Sequence, residues 1–290
     1  MTLLRGNNVA STYVATLAAD GTHVVDKRRL TLDENENDPF AWTPDSKAVL
    51  LSSDRNGTME LFKQGVDQTV AENLMTSAQQ LLQPKVTPDG SEILYISAPK
   101  YPAERSQSSI FAIPTAGGVP RLVLKDVNIW NLQCARLPAN FCMYSIAKGN
   151  IMETFRFDMR GGKTPEPSQV DPLCNWGLSP DGSVRAMVSS PKWTIGLRST
   201  LTGEPNDLSV KGIYELGSLD WAPDGRSFFV SGRSHDGQSV LLTITLDGRV
   251  SVLLRSNNSE ILAAIPSPDG TFLAIPEARG SNNVWAVENF

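Results

Sequence analysis

Histidine and cysteine are scarce in this 290-residue chain, with two of the first (His23, His235) and three of the second. Two histidines leave little room for a histidine-based zinc site or an imidazole-driven catalytic relay. Three cysteines do not make a disulfide scaffold, and a chain this long can bury a core without one. Basic surplus is also missing. Lys and Arg number 26 against 31 Asp and Glu, a formal charge of −5, which disfavours a duplex-binding surface and a nucleic-acid partner. No apolar run approaches the roughly 18 residues of a membrane-spanning helix, so membrane insertion is not expected. The N-terminal stretch Met1–Gly6 has no apolar segment long enough for a secretion signal. Absent too are a Gly-x-Ser-x-Gly nucleophile turn, a Gly-x-x-x-x-Gly-Lys phosphate loop and a His-Glu-x-x-His zinc motif. No cofactor, metal or catalytic residue is assigned, and the chain is read as a non-enzyme.

What the chain has is a repeat. Thr43-Pro44-Asp45-Ser46 recurs as Thr87-Pro88-Asp89-Gly90, Ser179-Pro180-Asp181-Gly182, Ala222-Pro223-Asp224-Gly225 and Ser267-Pro268-Asp269-Gly270. Successive prolines lie 44, 92, 43 and 45 residues apart, and the 92 is a doubled period that places one degenerate unit near residue 134. A period of about 44 suits four-stranded propeller blades. Proline presets the first turn position, Asp accepts a bond from the backbone ahead, and Gly supplies the left-handed conformation. Asp45, Asp89, Asp181, Asp224 and Asp269 are therefore structural turn residues.

Each turn joins two short β-rich runs, and two more runs follow: a four-stranded antiparallel meander. Only the stretch 71–82 is ambiguous between strand and helix. The degenerate unit reads Asn131–Ala135 and Phe141–Ser145 as its first two strands, Ile151–Phe157 as its third and Met159–Gly162 as its second turn. The expected fold is an all-β, six-bladed propeller forming one domain over residues 1–290. Its blades fall near 32–75, 76–125, 126–170, 171–211, 212–255 and 256–290, and an outer strand at 27–31 completes the last. Val284–Glu288 is expected as the third strand of that blade. Tyr13–Leu17 then looks like a surplus strand, so the chain is expected to begin mid-blade, as a piece of a longer protein whose propeller has seven or more blades if the remainder adds any.

Four groups of residues are candidates for function. The loops after each second strand carry cations: Arg55, Lys100 and Arg105, Lys148, Lys192, Arg233 and Arg279. Meander connectivity puts these loops on one face, as a basic collar for a protein or small anionic ligand or as ordinary solubilising charge. The acidic stretch Thr31–Pro39 shares that face and could pair with the collar. Gly232–Gly237 places Ser234, His235 and Asp236 side by side, which is a polar loop and not a relay. Trp42, Trp176 and Trp221 share inner-strand parity and are expected in the core, whereas Trp193 is a candidate contact residue. The best binding candidates are Arg55, Lys100, Lys192, Trp193, Arg233 and Arg279. Cys134 and Cys142 flank the degenerate turn on neighbouring strands. They are either a cross-strand disulfide, which would suit an extracytoplasmic location, or two buried thiols.

The Ser-Pro-Asp-Gly repeats at this period resemble the WD-like propeller repeats of the TolB type. A likeness over nearly the whole chain joins Arg28–Asp33, Trp42–Lys47, Ser53–Gly57, the Cys134/Cys142 blade and Asn283–Phe290. Together these resemble the C-terminal propeller of acidobacterial serine/threonine kinases and winged-helix regulators. That resemblance implies a sensory or protein-interaction module fused to such a domain. The repeat is also compatible with a Tol-type periplasmic scaffold, or with the propeller of a prolyl-oligopeptidase-like peptidase lacking its hydrolase.

Overall fold

The protein is described by a computed structural model covering residues 2–100, 106–159, 169–189, 194–210 and 213–286. For residues 2–9, 169–170, 189, 213–214 and 280–286 only the backbone is described. The described residues form six antiparallel sheets and no helix.

Blade one is β3 (Asn37–Trp42), β4 (Ala48–Ser53), β5 (Glu60–Gly65) and β6 (Glu72–Met75), running from the axis outwards. Blade two is β7 (Gln80–Val86), β8 (Glu92–Ala98), β9 (Gln107–Pro114) and β10 (Arg121–Val127). The stretch 71–82 thus resolves into β6 and the start of β7. Blade three, the degenerate unit, is β11 (Ile129–Cys134), β12 (Cys142–Lys148), β13 (Ile151–Phe157) and β14 (Gln169–Pro172). Its second turn lies largely outside the described residues. Blade four is β15 (Trp176–Leu178), β16 (Val184–Ser189), β17 (Thr194–Ser199) and β18 (Pro205–Ser209). Blade five is β19 (Ile213–Trp221), β20 (Ser227–Ser234), β21 (Ser239–Thr245) and β22 (Val250–Ser256).

Blade six departs from the expected pairing. Its inner edge is β23 (Glu260–Ile261) and β24 (Ile265–Pro266), and its second strand is β25 (Phe272–Ala286). The third strand comes from the N-terminus: β1 (Thr2–Leu17) pairs with β25 from Thr16↔Phe272 to Thr2↔Ala286. The outer strand is β2 (Val24–Arg29), reached through the Asp20–Gly21 turn. Residues 284–286 are therefore the far end of the second strand and not a third strand, and Tyr13–Leu17 is no surplus. The reason is burial: Ala15 and Leu17 fill a core with Leu273 and Ile275, and Val14 fills the opposite face with Ala274, which a solvated hairpin at 276–283 would have left open.

The repeated turn is a local hydrogen-bond cluster. In blade four, Ser179 Oγ donates to Asp181 Oδ1 (2.6 Å), and Ser183 N donates to the same oxygen (3.0 Å). Val184 N donates to Ser179 Oγ (2.9 Å). The same pattern recurs around Asp45, Asp89 and Asp269. Blade five has Ala222 where the others have Ser or Thr, and Asp224 accepts only Arg226 N there (2.9 Å). Blade one has Ser46 at the left-handed position (φ 60°) where the other turns have Gly. Its hydroxyl accepts Asp269 N (3.2 Å), tying the first blade to the last. Asp181→Ala is expected to cost about 1 kcal/mol, and Asp224→Ala less, because it removes fewer bonds. Urea denaturation of the two variants measures the difference; equal losses would show that the hydroxyl adds nothing.

The inner-strand tryptophans are core residues, as expected, and they also staple neighbouring blades. Trp42, Trp176 and Trp221 are buried. Their indole N–H groups donate to Ile265 O (2.9 Å), Ser145 Oγ (3.2 Å) and Gly177 O (3.2 Å), each on the preceding blade.

Candidate functional site: the axial channel and its two faces

Six inner strands around an axis leave a channel. Its larger part, about 420 Å³, opens among the Pro-Asp-Gly turns and takes residues from all six blades. A smaller part of about 160 Å³ lies towards the opposite face. Phe40, Lys85, Gln133, Asp220 and Ile265 line both and so mark the waist. Side-chain amides bind the wall together. Gln83 donates to Trp130 O (2.8 Å) and accepts Leu132 N (3.1 Å), while Asn131 donates to Trp176 O (3.0 Å).

The degenerate blade shapes the mouth. In place of a tight turn, Arg136–Asn140 bends towards the axis, with Arg136 N donating to Pro180 O (2.7 Å). Arg136 Nη1 reaches Pro268 O (3.3 Å) on blade six. Lys85 Nζ donates to Phe40 O (2.8 Å), and Asp220 Oδ1 accepts Trp221 N (2.8 Å). Burial pushes the Lys85 ammonium and the Arg136 guanidinium below their usual ranges, with the Asp220 charge opposing the shift in both. Burial pushes Asp220 up, and Lys85, the Trp221 N–H and Arg136 oppose it. Nothing local in the sequence marks these three residues as a group. The one available signal was the departure of Arg136–Asn140 from the repeat.

The collar residues lie on the opposite face, with carboxylates among them. Arg55 is largely buried: it donates to Asn37 Oδ1 (2.7 Å), lies 3.3 Å from Asp33 and covers the Phe62 ring. Lys148 pairs with Glu153 (2.7 Å). Arg233 lies between Glu215 (3.8 Å) and Glu260 (3.6 Å). Lys100 is exposed and donates to Gly57 O (2.8 Å), and Arg279 is exposed at the blade-six rim. Lys192, Trp193 and Arg105 fall outside the described residues. Described cations thus alternate with acids on this face. An exposed indole stands here as well, Trp130 at the start of β11, which alternation alone did not single out.

Asp33 belongs to the acidic stretch, so that stretch does pair with the collar. Among the described residues no cluster of His, Cys, Asp or Glu has the arrangement of a metal site. Asp38 in the same stretch is pushed up to about 7, first by burial and then by the Glu36 and Asp54 carboxylates. A carboxyl with a raised folded pKa leaves stability intact below about pH 4 and lowers it as pH rises through about 7. Asp38→Asn is therefore expected to gain on the parent protein across that window, by on the order of 2 kcal/mol at pH 8. Thermal melts at pH 5 and pH 8 measure it, and a constant offset would refute the assignment.

Cys134 and Cys142 are direct cross-strand partners, with sulfurs bonded at 2.01 Å. Cys174 is free, and burial pushes its thiol up to about 11.

No protein-family model matches the chain, and no curated protein matches it in sequence. Solved structures do. A protein assigned as TolB from Agrobacterium tumefaciens superposes with a TM-score of 0.70 at 17% identity, covering 97% of this chain and 100% of that one. TolB from Acinetobacter baumannii gives 0.63 at 18%, covering 87% of this chain and 65% of that one. A puromycin-hydrolyzing peptidase from Mycobacterium tuberculosis gives 0.60 at 14%, and this chain spans 50% of its length. These likenesses show that the chain has the β-propeller fold of the TolB structures, built here with six blades.

Proposed function

We propose that this propeller is a non-catalytic sensory or protein-interaction module of a bacterial signalling protein. One observation carries the reading: an axial channel walled by all six blades holds charged side chains that make no direct ion pair among the described residues. Groups held in this way on a rigid ring are suited to recognition. In this reading the collar face contributes partner contacts through exposed Lys100 and Arg279, with Lys192 and Trp193 from the same set of loops.

A second reading, a Tol-type scaffold outside the cytoplasm, is supported by the bonded Cys134–Cys142 pair and the likeness to TolB structures.

Photo-crosslinking residues placed singly at Leu137, by the channel mouth, and at Trp130, on the collar face, test the reading in the native cell. One dominant adduct from either position, identified by mass spectrometry, is the expected result. No adduct from either, or peptide or ester hydrolysis by the purified chain, would overturn it. Alkylation of intact cells separates the two readings: blocked Cys134 and Cys142 favour the scaffold, and free thiols favour a cytoplasmic module.

A further inference from the structure

Three blades aim ionisable groups into the channel: Lys85 from β7, Arg136 from the turn after β11 and Asp220 from β19. Lys85 and Asp220 stand at the waist, and Arg136 lines only the larger cavity, nearer the Pro-Asp-Gly mouth. Among the described residues none of the three makes an ion pair within 4.0 Å. Lys85 uses one of its three N–H donors on Phe40 O, and Arg136 uses one side-chain donor on Pro268 O. Two cations against one carboxylate leave one positive charge inside the enclosed part of the ring. Asp89 also borders the cavity, but it is exposed at the rim and bonded within its own turn to Thr87 and Ser91, where water screens it.

The walls between mouth and waist mix polar and apolar surface, and prolines supply much of the apolar part. Pro44, Pro88, Pro180 and Pro268 ring the opening, with Leu137 and Trp221 beside them. A guanidinium and an ammonium with spare donors above a desolvated waist suit a planar, charged acceptor. The apolar ring suits whatever carries that acceptor.

We propose that the channel binds a carboxylate, with its charged end between Arg136 and Lys85 and its apolar body against the proline ring. This rests on the channel being a recognition site and adds the chemistry of what it recognises. The carboxylate belongs either to a free organic acid or to the C-terminus of a peptide entering the mouth. Phe40 O holds the Lys85 ammonium (2.8 Å), and the Asp220 charge excludes a second anion from the waist.

Calorimetric titration and thermal-shift measurements on the whole chain test this. The probes are 4-phenylbutyrate and its amide, acetyl-Ala-Phe with free or amidated C-terminus, and inorganic phosphate. Binding of at least one free acid is expected, with its amide weaker by about tenfold or more. Arg136→Gln and Lys85→Met should each weaken that binding by a similar factor, while Lys125→Gln on the exposed outer strand of blade two leaves it unchanged. Should Lys85→Met fail to fold, Arg136→Gln and the acid-to-amide comparison suffice. Phenylbutyrate binding alone identifies a free acid as the source, peptide binding alone identifies a C-terminus, and either supports the proposal. Equal binding of acids and amides, binding of phosphate alone, no binding by any probe at about 10 mM, or an unaffected Arg136→Gln would overturn it. Persisting cross-links at Leu137 in that case would leave the interaction reading standing and reject only the carboxylate.

Discussion

A chain beginning at Leu32 is expected to lose the closed ring. The deletion removes β1 and β2, the third and outer strands of blade six, and leaves β25 with an unpaired edge along its whole length. It also removes buried Val14 and Leu30, which pack against blade one, and Ala15 and Leu17, which pack against blade five, all of them against the rest of blade six. Each such side chain contributes about 1.5–3 kcal/mol on burial, with Ala less, so the loss rivals the whole stability of an ordinary domain. The seam loses polar ties as well. Thr12 Oγ1 donates to Asn37 O (2.8 Å), Gln64 Nε2 donates to Leu30 O (2.8 Å), and Lys27 pairs with buried Glu277. The truncated chain should show no cooperative thermal transition and should aggregate through its exposed edge. A sharp melt within a few degrees of the parent protein would show that five blades and a hairpin suffice.

Asp171→Ala is expected to destabilise the protein by about 3–5 kcal/mol, the usual result of removing one partner of a buried ion pair. Arg185 is fully buried on β16, and its guanidinium pairs with Asp171 on β14 and bonds Thr154 on β13, joining blades three and four. Removing the carboxylate takes the ion-pair partner from a guanidinium in the core, beside the Thr154 hydroxyl and with the Trp176 ring at 5.6 Å. Replacing the pair together, as Arg185→Met with Asp171→Leu, should recover most of the loss, because desolvating two ions offsets much of their attraction. Urea titrations of the parent, single and double variants form the cycle. A loss under about 1 kcal/mol for Asp171→Ala would mean that water reaches Arg185.

The candidate site was only partly legible. Sequence spacing places Arg55 and Arg233 on the loop-rich face, and they are there. It does not show that Asp33, Glu215 and Glu260 stand beside them, because those carboxylates arrive from other strands. The binding candidates named from the sequence fall in the collar loops, whereas the larger cavity opens on the Pro-Asp-Gly face. Uniform turns look featureless one at a time, but five of them with the Arg136–Asn140 bend around an axis enclose a volume.

By itself the sequence determined the blade. The Pro-Asp-Gly turn is made by bonds within five residues, such as Ser179 with Asp181, Ser183 and Val184, so its signal survives without knowledge of the fold. Its period counts the units and locates the degenerate one. Only the tertiary structure decided how the ring closes and what its axis holds. Tyr13–Leu17 could find its place only once β25 lay beside it, since a strand's partner depends on which apolar face is left uncovered. Arg136 meets Pro268 across a separation of 132 residues. Lys85 and Asp220 come within electrostatic reach only because the ring brings blades two and five to one axis. Charge in a low-dielectric enclosure acts through space, and the distances that govern it do not exist until the chain has folded.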